Sequence, residues 1–225
     1  MDPTARLIPV SVPARPAGLV LVLHGGSARR DHKPVSAGQL SVLRMIPIAR
    51  QLSRAGKGQL AVFRLLNSHR GWDRGQSPVR DVAWARQQAG RQFNRELATC
   101  LVGHSLGGRA ALLAASQPGV VSVVALAPWL YATDNADLAG RQVLIVHGSR
   151  DRIADPEKSA AVARNLASTA DGLDYVVVRG GQHALLRRGR RITALAADFV
   201  VATVLGPEVG DPVASVRSGS HWLEI

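Results

Sequence analysis

Residues 98–109 read Ala-Thr-Cys-Leu-Val-Gly-His-Ser-Leu-Gly-Gly-Arg, an apolar run followed by a serine that stands between glycines. The apolar run predicts a strand, and the small and helix-forming residues after it predict a helix. Gly103 and Gly107 are needed because a side chain at either position would clash where the helix folds back against the strand. This stretch therefore predicts a strand, a sharp turn with Ser105 at its apex, and a helix whose N-terminus points at the serine.

Short apolar runs and amphipathic helical patterns alternate along the rest of the chain. Further strands are predicted at 19–23, 60–66, 120–126, 141–146 and 175–178, and helices at 41–55, 79–93, from 156 onward and at 192–205. The intervals between these strands are too long for hairpins, which favours parallel pairing. We expect an α/β fold with a mostly parallel sheet of about six to seven strands and helices on both faces. The first 17 residues contain four prolines and fit an extended lead-in or an edge strand.

The length of 225 residues suits one domain with a sizeable core. We predict a single domain over residues 1–205 and a loosely ordered tail, rich in glycine, proline and serine, over 206–225. No apolar run approaches the ~18–20 residues of a membrane span. The one cysteine, Cys100, forms no internal disulfide, and the N-terminus lacks the pattern of a secretory signal, so we expect a cytoplasmic protein.

The chain is strongly basic, with a formal net charge of +12 at pH 7. Of its 28 basic residues, 3 are lysines, which leaves 25 arginines; the densest run is at 187–191. No nucleic-acid-binding motif accompanies them, and aromatic residues make up only 4% of the chain. We therefore expect a solvated basic face and no nucleic-acid partner. The alternative is a field that attracts anionic substrates, such as acyl carriers with phosphate groups.

Polar groups follow several predicted strands, at the edge where a parallel sheet gathers its functional groups. Ser105, Asp151 and His183 occur there in that order, and His24-Gly25-Gly26 follows an earlier strand. The Gly-x-Ser-x-Gly turn and the serine–acid–histidine order resemble the nucleophile elbow and the catalytic triad of the α/β-hydrolase family. The resemblance covers about residues 19–205 and is closest to small, single-domain esterases and dienelactone-hydrolase-like enzymes.

The resemblance implies a role for each of these residues. Ser105 is expected to be the nucleophile, and His183 the base that takes its proton and later returns it. Asp151 is expected to orient that histidine and to stabilise its charged form. The backbone N–H groups of Leu106 and Gly26 are expected to form an oxyanion hole. This chemistry requires no cofactor.

Other carboxylates compete for the role of the acid. Asp155 is close to Asp151 in sequence, but it is better placed as the N-cap of a helix that begins at Pro156. Asp134 and Asp137 follow the preceding strand, where some family members carry the acid, and they rank third.

Three further histidines lie at predicted strand ends. His104, His24 and His147 are interpreted as structural residues that pack or bind loop backbone. They lack carboxylate or thiolate neighbours at the spacing of a metal site, so no metal is expected.

Aromatic and apolar side chains that follow strand ends are candidates for a substrate pocket. They are Trp72, Trp129, Leu130 and Tyr131, and ordinary packing explains them equally well. The connection from Trp129 to Arg141 is about a dozen residues long, too short for the helical cap domain of many relatives. We therefore expect an open cleft.

These observations predict a serine hydrolase that cleaves a carboxylic ester or thioester, a small-molecule substrate, through an acyl-enzyme intermediate. An aspartate at the elbow would have indicated dehalogenase or epoxide-hydrolase chemistry, and Ser105 argues against both. Two alternatives stay open. A lyase or acyltransferase would use the same triad, and a ligand-binding protein would carry an idle one.

Overall fold

A single eight-stranded sheet forms the centre of the molecule. The computed structural model describes residues 4–27, 33–206 and 222–225. The strand order is β1-β3-β2-β4-β5-β6-β7-β8; β1 runs antiparallel to β3, and every other neighbouring pair is parallel. The strands are β1 (Arg6–Ser11), β2 (Gly18–Leu23), β3 (Leu60–Leu66), β4 (Thr99–His104), β5 (Val120–Leu126), β6 (Gln142–Gly148), β7 (Gly172–Val178) and β8 (Trp222–Glu224).

Helices cover both faces of this sheet, as the sequence predicted. They are α1 (Leu40–Leu43), α2 (Met45–Ala55), α3 (Ser77–Phe93), α4 (Leu106–Leu113), α5 (Pro156–Ala167) and α6 (Gly189–Leu205). Side chains of α3, α4 and α5 pack on one face, and side chains of α2 and α6 pack on the other. Because both faces are covered, strands such as β2 are buried at every residue and read as continuous apolar runs.

Alternate residues of each central strand enter opposite cores. In β4, Leu101 belongs to the core under α3 and α5, whereas Cys100 and Val102 belong to the core under α2 and α6. Full burial of one such aliphatic side chain contributes about 1.5–3 kcal/mol. The same alternation places the last residue of the strand, His104, on the side of α2 and α6.

The end of the chain departs from the prediction. A loosely ordered tail was expected over 206–225, but residues 222–224 form β8, the eighth strand of a sheet for which six or seven were expected. Residues 207–221 lie outside the described part of the chain. The strand pairs with the open edge of β7, where the ring of Trp222 lies 4.4 Å from that of Tyr175 and Arg179 binds Glu224. Three residues are too few to give a periodic signal, so the edge of β7 decides this strand.

The helix boundaries follow local sequence signals. α5 begins at Pro156, and the Asp155 side chain accepts hydrogen bonds from the N–H groups of Glu157 and Lys158, as predicted for its N-cap. Pro47 lies in the first turn of α2, where backbone N–H groups have no acceptor within the helix, so the absence of an N–H in proline costs no helical hydrogen bond. None of the helices in the described residues is long and apolar enough to cross a membrane.

The connection that carries a cap domain in many relatives is short here. β5 leads into β6 through residues 127–141 without a helix or strand. The carboxyl edge of the sheet therefore has no cap domain at this position, as the sequence predicted.

Candidate active site

The turn at Ser105 is tight and strained. Ser105 has φ 56° and ψ −119°, a backbone conformation that residues other than glycine rarely adopt. A Cβ on Gly103 would collide with the backbone of Gly107, and a Cβ on Gly107 would come within 2.6 Å of the carbonyl oxygens of Leu23 and His24. Both glycines are thus required for the close approach of β2, β4 and α4. This arrangement supports Ser105 at the end of β4, directly before the N-terminus of α4.

Three of the predicted site residues form one hydrogen-bonded chain. The hydroxyl of Ser105 lies 2.9 Å from Nε2 of His183. Nδ1 of the same histidine lies 2.8 Å from Oδ2 of Asp151. Since a carboxylate only accepts, Nδ1 carries the proton and Nε2 is left to accept the proton of the serine. The groups come from three strand ends that are 46 and 32 residues apart along the chain, and the parallel sheet brings them to one edge.

The carboxylate of Asp151 is held in its ionised form. Burial by itself raises the pKa of this group, but hydrogen bonds from His147, from His183 and from the backbone of Ile153 and Ala154 outweigh that effect. Together they hold the pKa of Asp151 well below its ordinary value. The two backbone N–H groups bind Oδ1 at 2.8 and 3.0 Å, which leaves Oδ2 directed at the histidines.

His147 was predicted to be a buried structural residue, and it is buried, but it also contacts Asp151. Its Nε2 lies 3.2 Å from Oδ2 of Asp151 and 3.1 Å from the carbonyl of Ala154. Its Nδ1 is buried without a partner in the described residues. The one signal of this contact in the sequence is the spacing, since His147 and Asp151 are four residues apart at the end of one strand. The contact makes His147 a second donor to the acid.

His104 packs directly against the histidine of the chain. The two rings are 4.9 Å apart, and Nε2 of His104 donates to the carbonyl of His183 at 2.8 Å. Burial lowers the pKa of His104 to about 4, and the nearby Arg44 adds to the effect. His104 is therefore neutral at neutral pH and positions the loop of His183, in agreement with its predicted packing role.

The loop after β2 lies against the elbow. A Cβ on Gly25 would lie 3.3 Å from Cβ of Ser105, and one on Gly26 would lie 2.6 Å from a methyl group of Leu106. The structure thus brings Gly26 and Leu106, the two predicted oxyanion donors, next to each other beside Ser105. Among the described residues, neither backbone N–H donates to another protein group.

His24 fixes the position of this loop. Its Nδ1 donates to the carbonyl of Gly25 at 2.6 Å, and its Nε2 accepts from the N–H of Asn67 at 3.1 Å. The predicted structural role of His24 is therefore confirmed. A further bond, from the N–H of Ser27 to the carbonyl of Arg70 at 2.8 Å, ties the same loop to the segment after β3.

Arg109, which was not predicted as a site residue from the sequence, contacts two of the aromatic residues near the site. Arg109 lies one helical turn after Ser105, and its guanidinium stacks on the rings of Trp72, at 4.0 Å, and Tyr131, at 4.6 Å. It also forms a two-bond ion pair with Asp134, at 2.7 and 2.8 Å. Trp72 and Tyr131 thus both contact Arg109, and both residues are at least partly exposed.

The other two pocket candidates differ in burial. Leu130 is 5% exposed and belongs to the core on the side of α3, which favours the packing interpretation for this residue. Trp129 is partly exposed, and its N–H donates to the carbonyl of Ser105 at 3.1 Å, so its backbone supports the elbow.

The competing carboxylates have other partners. Both oxygens of Asp134 are bound, to Arg109 and to the N–H of Tyr131. Asp137 accepts from the N–H of Ala139, and Asp155 caps α5. None of them is bonded to His183 in the described structure. Within those same residues no group of three or more histidine, cysteine or acidic side chains is arranged to hold a metal ion.

Comparison with known proteins identifies the fold. No family model matches the chain, and no curated protein matches its sequence. Among solved structures, an α/β serine hydrolase without lid from Xanthomonas campestris is 20% identical, with a TM-score of 0.63 over 88% of this chain and 87% of that one. A serine hydrolase homologue from Coxiella burnetii is 17% identical, with a TM-score of 0.63 over 87% and 90%.

A third similar structure is Est1E from Butyrivibrio proteoclasticus with bound ferulic acid. It is 15% identical, with a TM-score of 0.64 over 89% of this chain and 96% of that one. The chain therefore has the α/β-hydrolase fold, and within that class it has the form without a cap domain.

Proposed function

We propose that the protein is a serine hydrolase that cleaves a carboxylic ester or thioester. The single observation that carries this proposal is the unbroken chain from Ser105 through His183 to Asp151, with bonds of 2.9 and 2.8 Å. A serine hydroxyl is a weak nucleophile at neutral pH and needs a base within hydrogen-bond reach. The similarity to esterases and serine hydrolases supports the same class of reaction.

The reaction follows from these contacts. Oγ of Ser105 attacks the carbonyl carbon while Nε2 of His183 takes the hydroxyl proton, and Asp151 stabilises the imidazolium. The N–H groups of Gly26 and Leu106 bind the oxyanion; one such donor is worth about 2.7–4 kcal/mol in the transition state. His183 then protonates the departing alcohol or thiol. Water, deprotonated by the same histidine, attacks the acyl-enzyme and releases the acid.

The test compares the protein with Ser105→Ala on p-nitrophenyl esters of graded acyl length and on the matching acyl-CoA thioesters. We expect the substitution to lower kcat by roughly four orders of magnitude or more, since the residual rate comes from binding and the oxyanion donors alone. Ser168→Ala is the matched control, because this exposed serine lies at the end of α5, away from β4. Its rates are expected to equal those of the unaltered protein.

Covalent labelling by a fluorophosphonate separates an unsuitable substrate from an idle triad. We expect labelling of Ser105 and none in Ser105→Ala. A folded protein that neither turns over these substrates nor reacts with the probe would refute the hydrolase proposal and favour a ligand-binding role.

A further inference from the structure

A pocket lies near the candidate active site, between α2 and α6. Its volume is about 490 Å³, within the range of small-molecule sites. His104 and the segment Ala184–Leu186, directly after His183, form part of its wall. Neither Ser105 nor His183 lines it. The pocket therefore borders chain neighbours of Ser105 and His183 but not those two residues themselves.

The interior of this pocket is apolar. Pro47 and Ile48 of α2, Ile192 of α6, and Leu126 and Leu185 contribute apolar side chains to the lining. Leu186, also a lining residue, is 78% exposed. Such a lining favours binding of the apolar part of a ligand, because binding removes the apolar surfaces of the pocket and of the ligand from water.

The charged residues in the lining are all basic. Arg44, Arg54 and Arg190 line the pocket, and no acidic residue does. Within the described part of the chain, none of the three forms an ion pair with a carboxylate. Burial lowers the pKa of Arg44, and this side chain donates to the carbonyl of Ala184. Arg54 and Arg190 are exposed, so their guanidinium groups can reach a ligand from solvent.

We propose that this pocket binds an amphiphilic carboxylate, a molecule with an apolar chain and one anionic end. The chain lies among Ile48, Leu185 and Ile192, and the carboxylate pairs with Arg54 and Arg190. A guanidinium suits a carboxylate because its N–H groups match the two oxygens. Nothing in this assignment requires the serine chemistry.

The test measures binding of octanoate by isothermal titration calorimetry, with 1-octanol as the uncharged comparison. We expect octanoate to bind more tightly than octanol, and the double substitution Arg54→Gln/Arg190→Gln to weaken octanoate binding by about tenfold or more. The matched control is Arg50→Gln/Arg191→Gln. It removes the same charge from the same two helices at exposed positions outside the lining. We expect the control pair to bind like the unaltered protein.

The outcomes separate clearly. Loss of affinity in the first pair alone supports the site. Equal loss in both pairs would show a response to net charge only, and unchanged affinity in the first pair would place octanoate elsewhere, including at the serine; either result overturns the assignment. Absence of binding to the unaltered protein also overturns it. Circular dichroism of both pairs verifies that they fold.

Discussion

Replacement of Asp151 by asparagine tests how the acid controls the proton of His183. The N–H groups of Ile153 and Ala154 bind Oδ1 at 2.8 and 3.0 Å, so the amide oxygen of an asparagine is retained at that position. The amide NH₂ then occupies the place of Oδ2, facing His183 and His147. Facing a donor, His183 must carry its proton on Nε2, and it then has no lone pair for the proton of Ser105.

The size of the effect follows from this reversal of the tautomer. The loss of an active tautomer in a serine–histidine–aspartate arrangement lowers kcat by about 10⁴. That factor corresponds to about 5.5 kcal/mol of transition-state stabilisation. We expect kcat/KM of Asp151→Asn on p-nitrophenyl acetate, and its rate of labelling by a fluorophosphonate, to fall by that order.

The control is Asp155→Asn, the same chemical change four residues further along. Asp155 caps α5 through the N–H groups of Glu157 and Lys158, and asparagine caps a helix equally well. Its activity is expected to stay within about twofold of the unaltered protein, because the capping bonds are kept. If folded Asp151→Asn retained activity within about tenfold, the hydrogen bond to His183 would not set the tautomer, and the reasoning would be refuted.

Two further predictions concern stability, and urea denaturation measures both. Gly107→Ala should destabilise the fold by at least about 2 kcal/mol, because its methyl group would meet the carbonyl oxygens of Leu23 and His24. Gly189→Ala is the control, because Gly189 has open space around it at the start of α6. This control should change the free energy of unfolding by no more than about 1 kcal/mol. Since burial lowers the pKa of His104 to about 4, the unfolded chain takes up a proton that the folded protein excludes as pH falls from 6.5 to 4. The protein should lose up to about 3 kcal/mol over that range, and His104→Gln should lose correspondingly less. An equal pH dependence in both proteins would contradict this account.

Much of the architecture was predictable from local patterns. The glycines at 103 and 107 predict the elbow, since only a residue without a side chain fits where three backbone segments meet. The apolar runs predict the buried strands, because helices cover both faces of the sheet. The order of Ser105, Asp151 and His183 predicts which side chains to bring together, and the structure places them in one hydrogen-bonded chain.

Other features depend on contacts between segments that are distant in sequence. β8 exists because β7 has an open edge, and Trp222 and Glu224 find partners there. The stacking of Arg109 on Trp72 and Tyr131 joins α4 to two loops, so no single stretch of sequence predicts it.

The sequence by itself thus determined the order of the strands and helices from β2 to α6, the elbow and the identity of the candidate triad, because each follows from local periodicity, glycine placement or chain order. The tertiary structure alone decided the second donor to Asp151, the lowered pKa of His104 and the arginine-lined pocket between α2 and α6. These properties arise from burial and from charges brought together by folding, and both depend on the distances between groups in space.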